Sequence, residues 1–139
     1  MDARVVELPQ SARTAAEAAA AVGCEVAQIA KSLIFVDGAG EPVLVITSGG
    51  NRVDEKRLGL KRASAEVVRA TTGYAIGGIP PVGLANPVRT LIDEDLLRFE
   101  RIWAAAGTPN AVFEFWPGDL PRMTGGMVMR VGSGSEGTG

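Results

Sequence analysis

Residues 29–47, IAKSLIFVDGAGEPVLVIT, decide the fold. The runs from Lys31 to Val36 and from Val43 to Thr47 are apolar and rich in β-branched residues, and DGAGEP between them supplies turn chemistry, so the stretch reads as a β-hairpin. A side-chain period of two puts Lys31, Leu33 and Phe35 on one face of the first strand and Ser32, Ile34 and Val36 on the other. A lysine at the first position of such a strand can still reach an open sheet edge. Its plain structural alternative is a side chain that buries its stem and keeps its ammonium in water.

Working outward, Thr14 followed by Glu17 forms a capping box in front of AAEAAAAV, and Gly23 sits where a left-handed stop belongs, so residues 14–22 read as a helix. GCEVAQIA is a short helical turn leading to Lys31. Downstream, SGGN (48–51) is a loop, and VDEKRLGL and SAEVVRATT are helices, the second capped by Ser64 and stopped by Gly73. Tyr74–Ile76 reads as a short strand, GGIPPVG (77–83) as a rigid turn and VRTLID (88–93) as a strand. DEDLLRFERIWAAAG combines a short helix with a strand around Arg101–Ala104, and TPN turns into the strand AVFEF. DLPRMT is a helical turn beginning at Asp119, and GMVMRV is a closing strand or helix. Short strands among short helices predict a mixed α/β (α+β) fold: one domain, residues 1–131, with one mixed central sheet surrounded by short helices. The stretch 132–139, GSGSEGTG, is expected to be a disordered tail.

At 139 residues and 46% hydrophobic composition, such a domain can bury its core without disulfides or metal. Cys24 is alone, which excludes an intramolecular disulfide and fits a reducing compartment, with the cytoplasm expected. No run is long enough to span a membrane, and MDARVVELPQ lacks the apolar core of a signal peptide. The formal charge of -2 offers no global attraction to nucleic acid, so a polyanion would have to be met locally. One basic stretch exists: Arg52, Lys56, Arg57, Lys61, Arg62 and Arg69 outweigh Asp54, Glu55 and Glu66. A solvated helix surface has the same composition.

With no histidine, Ser-His-Asp and Cys-His chemistry is excluded, and one cysteine cannot build a usual zinc site; no metal or cofactor is implied. GSGSEG (132–137) has the letters of a dinucleotide fingerprint but opens no helix, so it carries no such function. GGIPPVG is more informative. Gly77, Gly78 and Gly83 permit close backbone approach, Pro80 and Pro81 fix the loop, and its N–H groups could face a carbonyl or anion. A plain tight turn is the competing reading. Asp93 ends a strand, where a carboxylate is more often structural than a base.

Taken in order, RTAAEAAAAVGCEVAQIAKSLIF, VLVITSGGNRVDEKRL, TGYAIGGIPPVG, RTLIDEDL and AGTPNAVFEFWPGDL resemble the YbaK family, related to the editing domain inserted in bacterial prolyl-tRNA synthetases. The resemblance spans residues 4–128. QIAKSL matches the family's lysine motif at Lys31, and Gly77-Gly78-Ile79-Pro80-Pro81 matches its GxxxP loop. It implies a trans-editing hydrolase that deacylates mischarged aminoacyl-tRNA of the Ala- or Cys-tRNA(Pro) type, assisted by the substrate's ribose hydroxyl. Lys31, Gly77 and Pro81 are its implied catalytic residues; Ser32, Gly78, Ile79, Pro80, Gly107 and Asn110 are its implied substrate-binding residues. Thr108 and Pro109 interrupt the glycine-rich pattern that brings in Gly107 and Asn110. The implied partners are the acceptor end of mischarged tRNA and, as a candidate, an aminoacyl-tRNA synthetase, with no membrane partner. Monomer and homodimer both stay open, as does a second function: a non-catalytic module binding a small metabolite or aminoacyl-adenosine in the same pocket.

Overall fold

The computed structural model describes residues 3–8, 14–76, 79–108 and 110–132. Along these residues run β1 (Ala3–Glu7), α1 (Ala15–Val22), β2 (Ile29–Val36), β3 (Pro42–Ser48), α2 (Glu55–Leu58), β4 (Lys61–Arg62), α3 (Ala65–Thr72), β5 (Arg89–Asp93), β6 (Ile102–Ala105), β7 (Ala111–Phe115), α4 (Leu120–Thr124) and β8 (Met127–Met129). Turns of 3-10 helix occupy Val26–Gln28, Glu94–Arg98 and Pro117–Asp119.

The hairpin forms as expected. β2 and β3 pair antiparallel with Lys31 opposite Thr47 and Val36 opposite Pro42. Asp37 ties the turn, its Oδ1 accepting from the N–H groups of Ala39 at 2.9 Å and Glu41 at 3.0 Å. Around the hairpin the sheet grows to the order β1-β7-β6-β2-β3-β5-β8, with β4 attached separately to β2. β6 on β2, β5 on β3 and β8 on β5 are parallel, whereas β7 on β6 and β1 on β7 are antiparallel. The sheet is therefore mixed.

Its two faces are both covered, which is why the central strands lack the polar alternation of a half-solvated sheet. Ile34, Leu44, Ile46, Ile92, Ile102 and Phe115 pack on one side beneath Val68 of α3, Leu96 and Leu120. On the other side Phe35, Val43, Val45 and Leu91 meet Val53, Leu60 and Val131, while Ile29, Trp103 and Val112 meet Ala18 and Ala19 of α1. Alanines on α1 let the helix lie close to the sheet. Its capping box is made as the sequence predicts, Glu17 N–H to Thr14 Oγ1 and Thr14 N–H to Glu17 Oε1, both at 3.1 Å.

One local expectation is corrected, and two strands form that the sequence pattern does not predict. Tyr74–Ile76 is no strand, because the Thr72 hydroxyl accepts from the Tyr74 N–H at 3.0 Å and turns the chain at the end of α3. β1 was not expected; Arg4 opposite Glu114, joined by a 3.1 Å ion pair, helps register it on β7. β4 was also missed, since two exposed charged residues carry no strand pattern. Of the expected tail, Gly132 bridges Val53, and residues 133–139 lie outside the described residues.

Gly49 fastens the hairpin to the helical layer. A Cβ there would lie 2.5 Å from the Val26 carbonyl oxygen and 2.7 Å from Ala15 Cβ, so only glycine fits. Gly49→Ala should lower stability by about 1–3 kcal/mol, the usual cost of overpacking. Urea unfolding of the variant beside the parent protein checks this.

Candidate active site

The pairing of β2 with β6 is short: Ile29 opposite Trp103 and Ala30 opposite Ala104, with no further rung. Higher along β2 the same edge is taken by β4, with Phe35 opposite Arg62. Between these two attachments the sheet opens into a cavity of about 330 Å³. Lys31, Ser32 and Leu33 form its β2 wall, Ala104 and Ala105 its β6 wall, and Thr14, Ala15 and Ala18 close it from α1. Ile76, Ile79, Trp103, Thr108 and Val112 complete it. The wall is mostly apolar, with polar groups from Thr14, Lys31, Ser32 and Thr108.

Lys31 is half-buried, and burial pushes its ammonium below the ordinary lysine value; the charges of Arg62 and Arg52 push it further down. Arg62 shares the face of Lys31, since its partner Phe35 lies four residues, two strand periods, along β2. Among the described residues no carboxylate ion-pairs with Lys31 or Arg52, and Arg62 reaches Glu55 only at 3.7 Å. Cations gathered with so little opposing charge favour an anionic ligand. Of the other basic residues, Arg57 is occupied: it donates to the Arg130 carbonyl at 2.7 Å and pairs with Asp54.

Of the nine residues singled out in the sequence, Lys31, Ser32 and Ile79 line this cavity together. Gly77 and Gly78 lie outside the described residues. Pro80 is buried, and Pro81 instead lines a second cavity of about 260 Å³ with Leu44, Leu84, Val88 and Met123. Two prolines in succession have no N–H to offer a ligand, so this half of the loop packs. Gly107 does not line the first cavity. At φ 106 it turns the chain against the Tyr74 ring, whose Cε1 would be 3.3 Å from an added Cβ. Asn110 is exposed and gives its carbonyl to the Leu8 N–H at 2.6 Å. Thr108, between them, takes the place on the wall.

Trp103, Thr14 and Ile76 were not singled out. Thr14 was read as a cap alone, and Trp103 reaches the site only because β6 pairs with β2. Asp93 is structural. Its Oδ2 accepts from Thr47 Oγ1 at 3.1 Å, Ser48 N–H at 3.0 Å and Asn51 Nδ2 at 2.9 Å, and its Oδ1 accepts from Asp95 N–H at 3.0 Å. It does not line the cavity. Among the described residues no group of three or more His, Cys, Asp or Glu is placed to hold a metal ion, and no helix is long and apolar enough to cross a membrane.

Two expectations about stability follow from this arrangement. Because the folded value of Lys31 is depressed, the unfolded chain binds more protons, and stability should rise as pH climbs through the folded value toward the ordinary lysine value of 10.5. Lys31→Met should lose that rise and be at least as stable near neutrality, as denaturant melts at several pH values would show. Asp93→Asn should be destabilised by about 1–3 kcal/mol, because it sets an amide donor against existing donors. Thermal melts of that variant provide the check.

Comparison with known proteins agrees with the geometry. The aminoacyl-tRNA editing domain family matches residues 9–123. YwhH of Bacillus subtilis (strain 168) is 33% identical over 122 residues, covering 84% of this chain and 78% of its own. EbsC of Enterococcus faecalis (strain ATCC 700802 / V583), whose name proposes a Cys-tRNA(Pro)/Cys-tRNA(Cys) deacylase, is 26% identical over 125 residues, or 85% and 76% of the two chains. A crystal structure described as a candidate trans-editing enzyme for prolyl-tRNA synthetase superposes with a TM-score of 0.86 at 48% identity, covering 95% of this chain and 87% of the other. With residues 9–123 matched by the family and the fold superposing over 95% of its length, the chain belongs to the aminoacyl-tRNA editing domain family.

Proposed function

We propose that this protein hydrolyses the ester joining a mischarged amino acid to the terminal adenosine of tRNA, acting in trans on substrates of the Ala- or Cys-tRNA(Pro) type. The observation that carries this reading is the apolar cavity with Lys31 on its wall and Arg62 and Arg52 close enough to depress that lysine. A volume of about 330 Å³ accommodates an aminoacyl group with part of its nucleoside, and Lys31 with its neighbouring arginines would meet the phosphate oxygens. Membership in the editing family and the prolyl-tRNA wording of the relatives' descriptions support the same substrate. The expected compartment is the cytoplasm, with an aminoacyl-tRNA synthetase as a further partner.

An ester is already activated, so its hydrolysis needs placement and charge stabilisation more than a strong base. The chain has no histidine, and the buried carboxylate of Asp93 is committed elsewhere. The group that orients water is then the neighbouring hydroxyl of the terminal ribose. Lys31 anchors the nucleotide end. Ile79 and Trp103 enclose the amino acid, and the lysine-and-loop resemblance implies a substrate-binding role for Gly77 and Gly78 as well.

Incubation with a panel of mischarged tRNAs tests the proposal: free alanine or cysteine should appear with time from tRNA(Pro), and Lys31→Ala should abolish most of the release while keeping the fold. Stable binding of tRNA without release would instead support the non-catalytic module. A substrate with a 2′-deoxy terminal adenosine, esterified at its 3′ oxygen, should bind nearly as well and react far more slowly. Binding should weaken roughly tenfold or more between about 50 and about 200 mM salt, since few phosphates are contacted. Binding indifferent to salt would count against tRNA.

A further inference from the structure

Ser32 Oγ is the one buried side-chain polar atom without a hydrogen-bond partner among the described residues. Other hydroxyls of the sheet are engaged. Thr47 Oγ1 donates to Asp93, Ser48 Oγ to the Ala27 carbonyl at 2.7 Å, and Thr90 Oγ1 to the Val88 carbonyl at 3.1 Å. An unpartnered buried hydroxyl destabilises a fold, so its presence in a residue that lines the cavity points to a ligand that completes it.

The Ser32 backbone points the same way. In β2 the odd positions turn their polar backbone groups toward β3, as the bond from Gly49 N–H to the Ile29 carbonyl at 2.7 Å shows. Even positions turn to the opposite edge, where the Ile34 carbonyl accepts from Ala63 N–H at 3.3 Å. Ser32 lies between Ala30, the last residue paired with β6, and Phe35, the first paired with β4. Its N–H therefore opens onto the gap that forms the cavity.

We propose that Ser32 forms the oxyanion-binding site of the cavity, its Oγ–H and its own N–H together gripping the carbonyl oxygen of the ester; this rests on the deacylase reading above. Water adds to the carbonyl carbon, and the π pair of the C=O bond moves onto the oxygen held by the two donors. Collapse re-forms the carbonyl and breaks its bond to the ribose oxygen. The proton given up by water ends on that oxygen, so one ester and one water yield a free carboxylic acid and the ribose hydroxyl. The donors favour the tetrahedral state because its oxygen carries the full negative charge.

Steady-state deacylation by Ser32→Ala and Ser32→Thr, beside the parent protein, tests the assignment. Ser32→Ala should lose about 10²-fold in kcat with KM little changed, and Ser32→Thr, which keeps a hydroxyl, should recover part of the loss. Thermal melts should place Ser32→Ala at or above the parent, because it removes an unpartnered hydroxyl. An unchanged kcat, a loss confined to KM, equal failure of both variants, or a lowered melting temperature that explains the lost activity would each overturn the role of Ser32. A parent protein inactive on every ester of the panel would instead overturn the deacylase reading, and this assignment with it.

Discussion

The parallel ladder between β2 and β6 stops after Ala30 opposite Ala104, and the rest of the site depends on that interruption. A sheet that stayed paired would close over Lys31, Ser32 and Leu33, and their wall would become ordinary core. Because β2 keeps its full antiparallel ladder with β3, it remains a rigid strand while its other edge is open. Placing polar groups on a strand held from one side gives them fixed positions without the variability of a loop.

Two polar clusters on the same hairpin show the contrast between architecture and function. At the end of β3 the carboxylate of Asp93 collects donors from four residues, and each group there is satisfied within the fold. At the start of β2 the opposite holds: among the described residues no carboxylate ion-pairs with the Lys31 ammonium, its arginine neighbours repel it, and the Ser32 hydroxyl finds no partner. Folding gains from the first arrangement and loses from the second. Under the proposed function, substrate charge and substrate oxygen would offset that loss.

Much of this was legible in the chain. The Thr14–Glu17 box, the Ser64 cap, the glycine stops and the hairpin are local devices, and each formed where its letters predicted. Lys31 and Ser32 were visible because they interrupt an apolar run. What escaped depends on distant pairing: β4 is two exposed residues recruited by β2, and Trp103 and Thr108 join the wall from a strand and loop some seventy residues away in sequence. Spacing also could not reveal that the loop divides, Ile79 turning toward Lys31 and Pro81 toward another cavity. That choice is made by packing beneath the sheet.

The turn at Asp37–Glu41 lies at the far end of the hairpin from the cavity, yet it sets which side chains reach the site. Side chains alternate along β2, so a slip of one residue against β3 would exchange the faces of Lys31 and Ser32. The cation would point where the hydroxyl does, and the open N–H would belong to a neighbour. An insertion or deletion in this surface turn would thus reach the chemistry by changing the frame in which the strand is read, with every residue of the site still present.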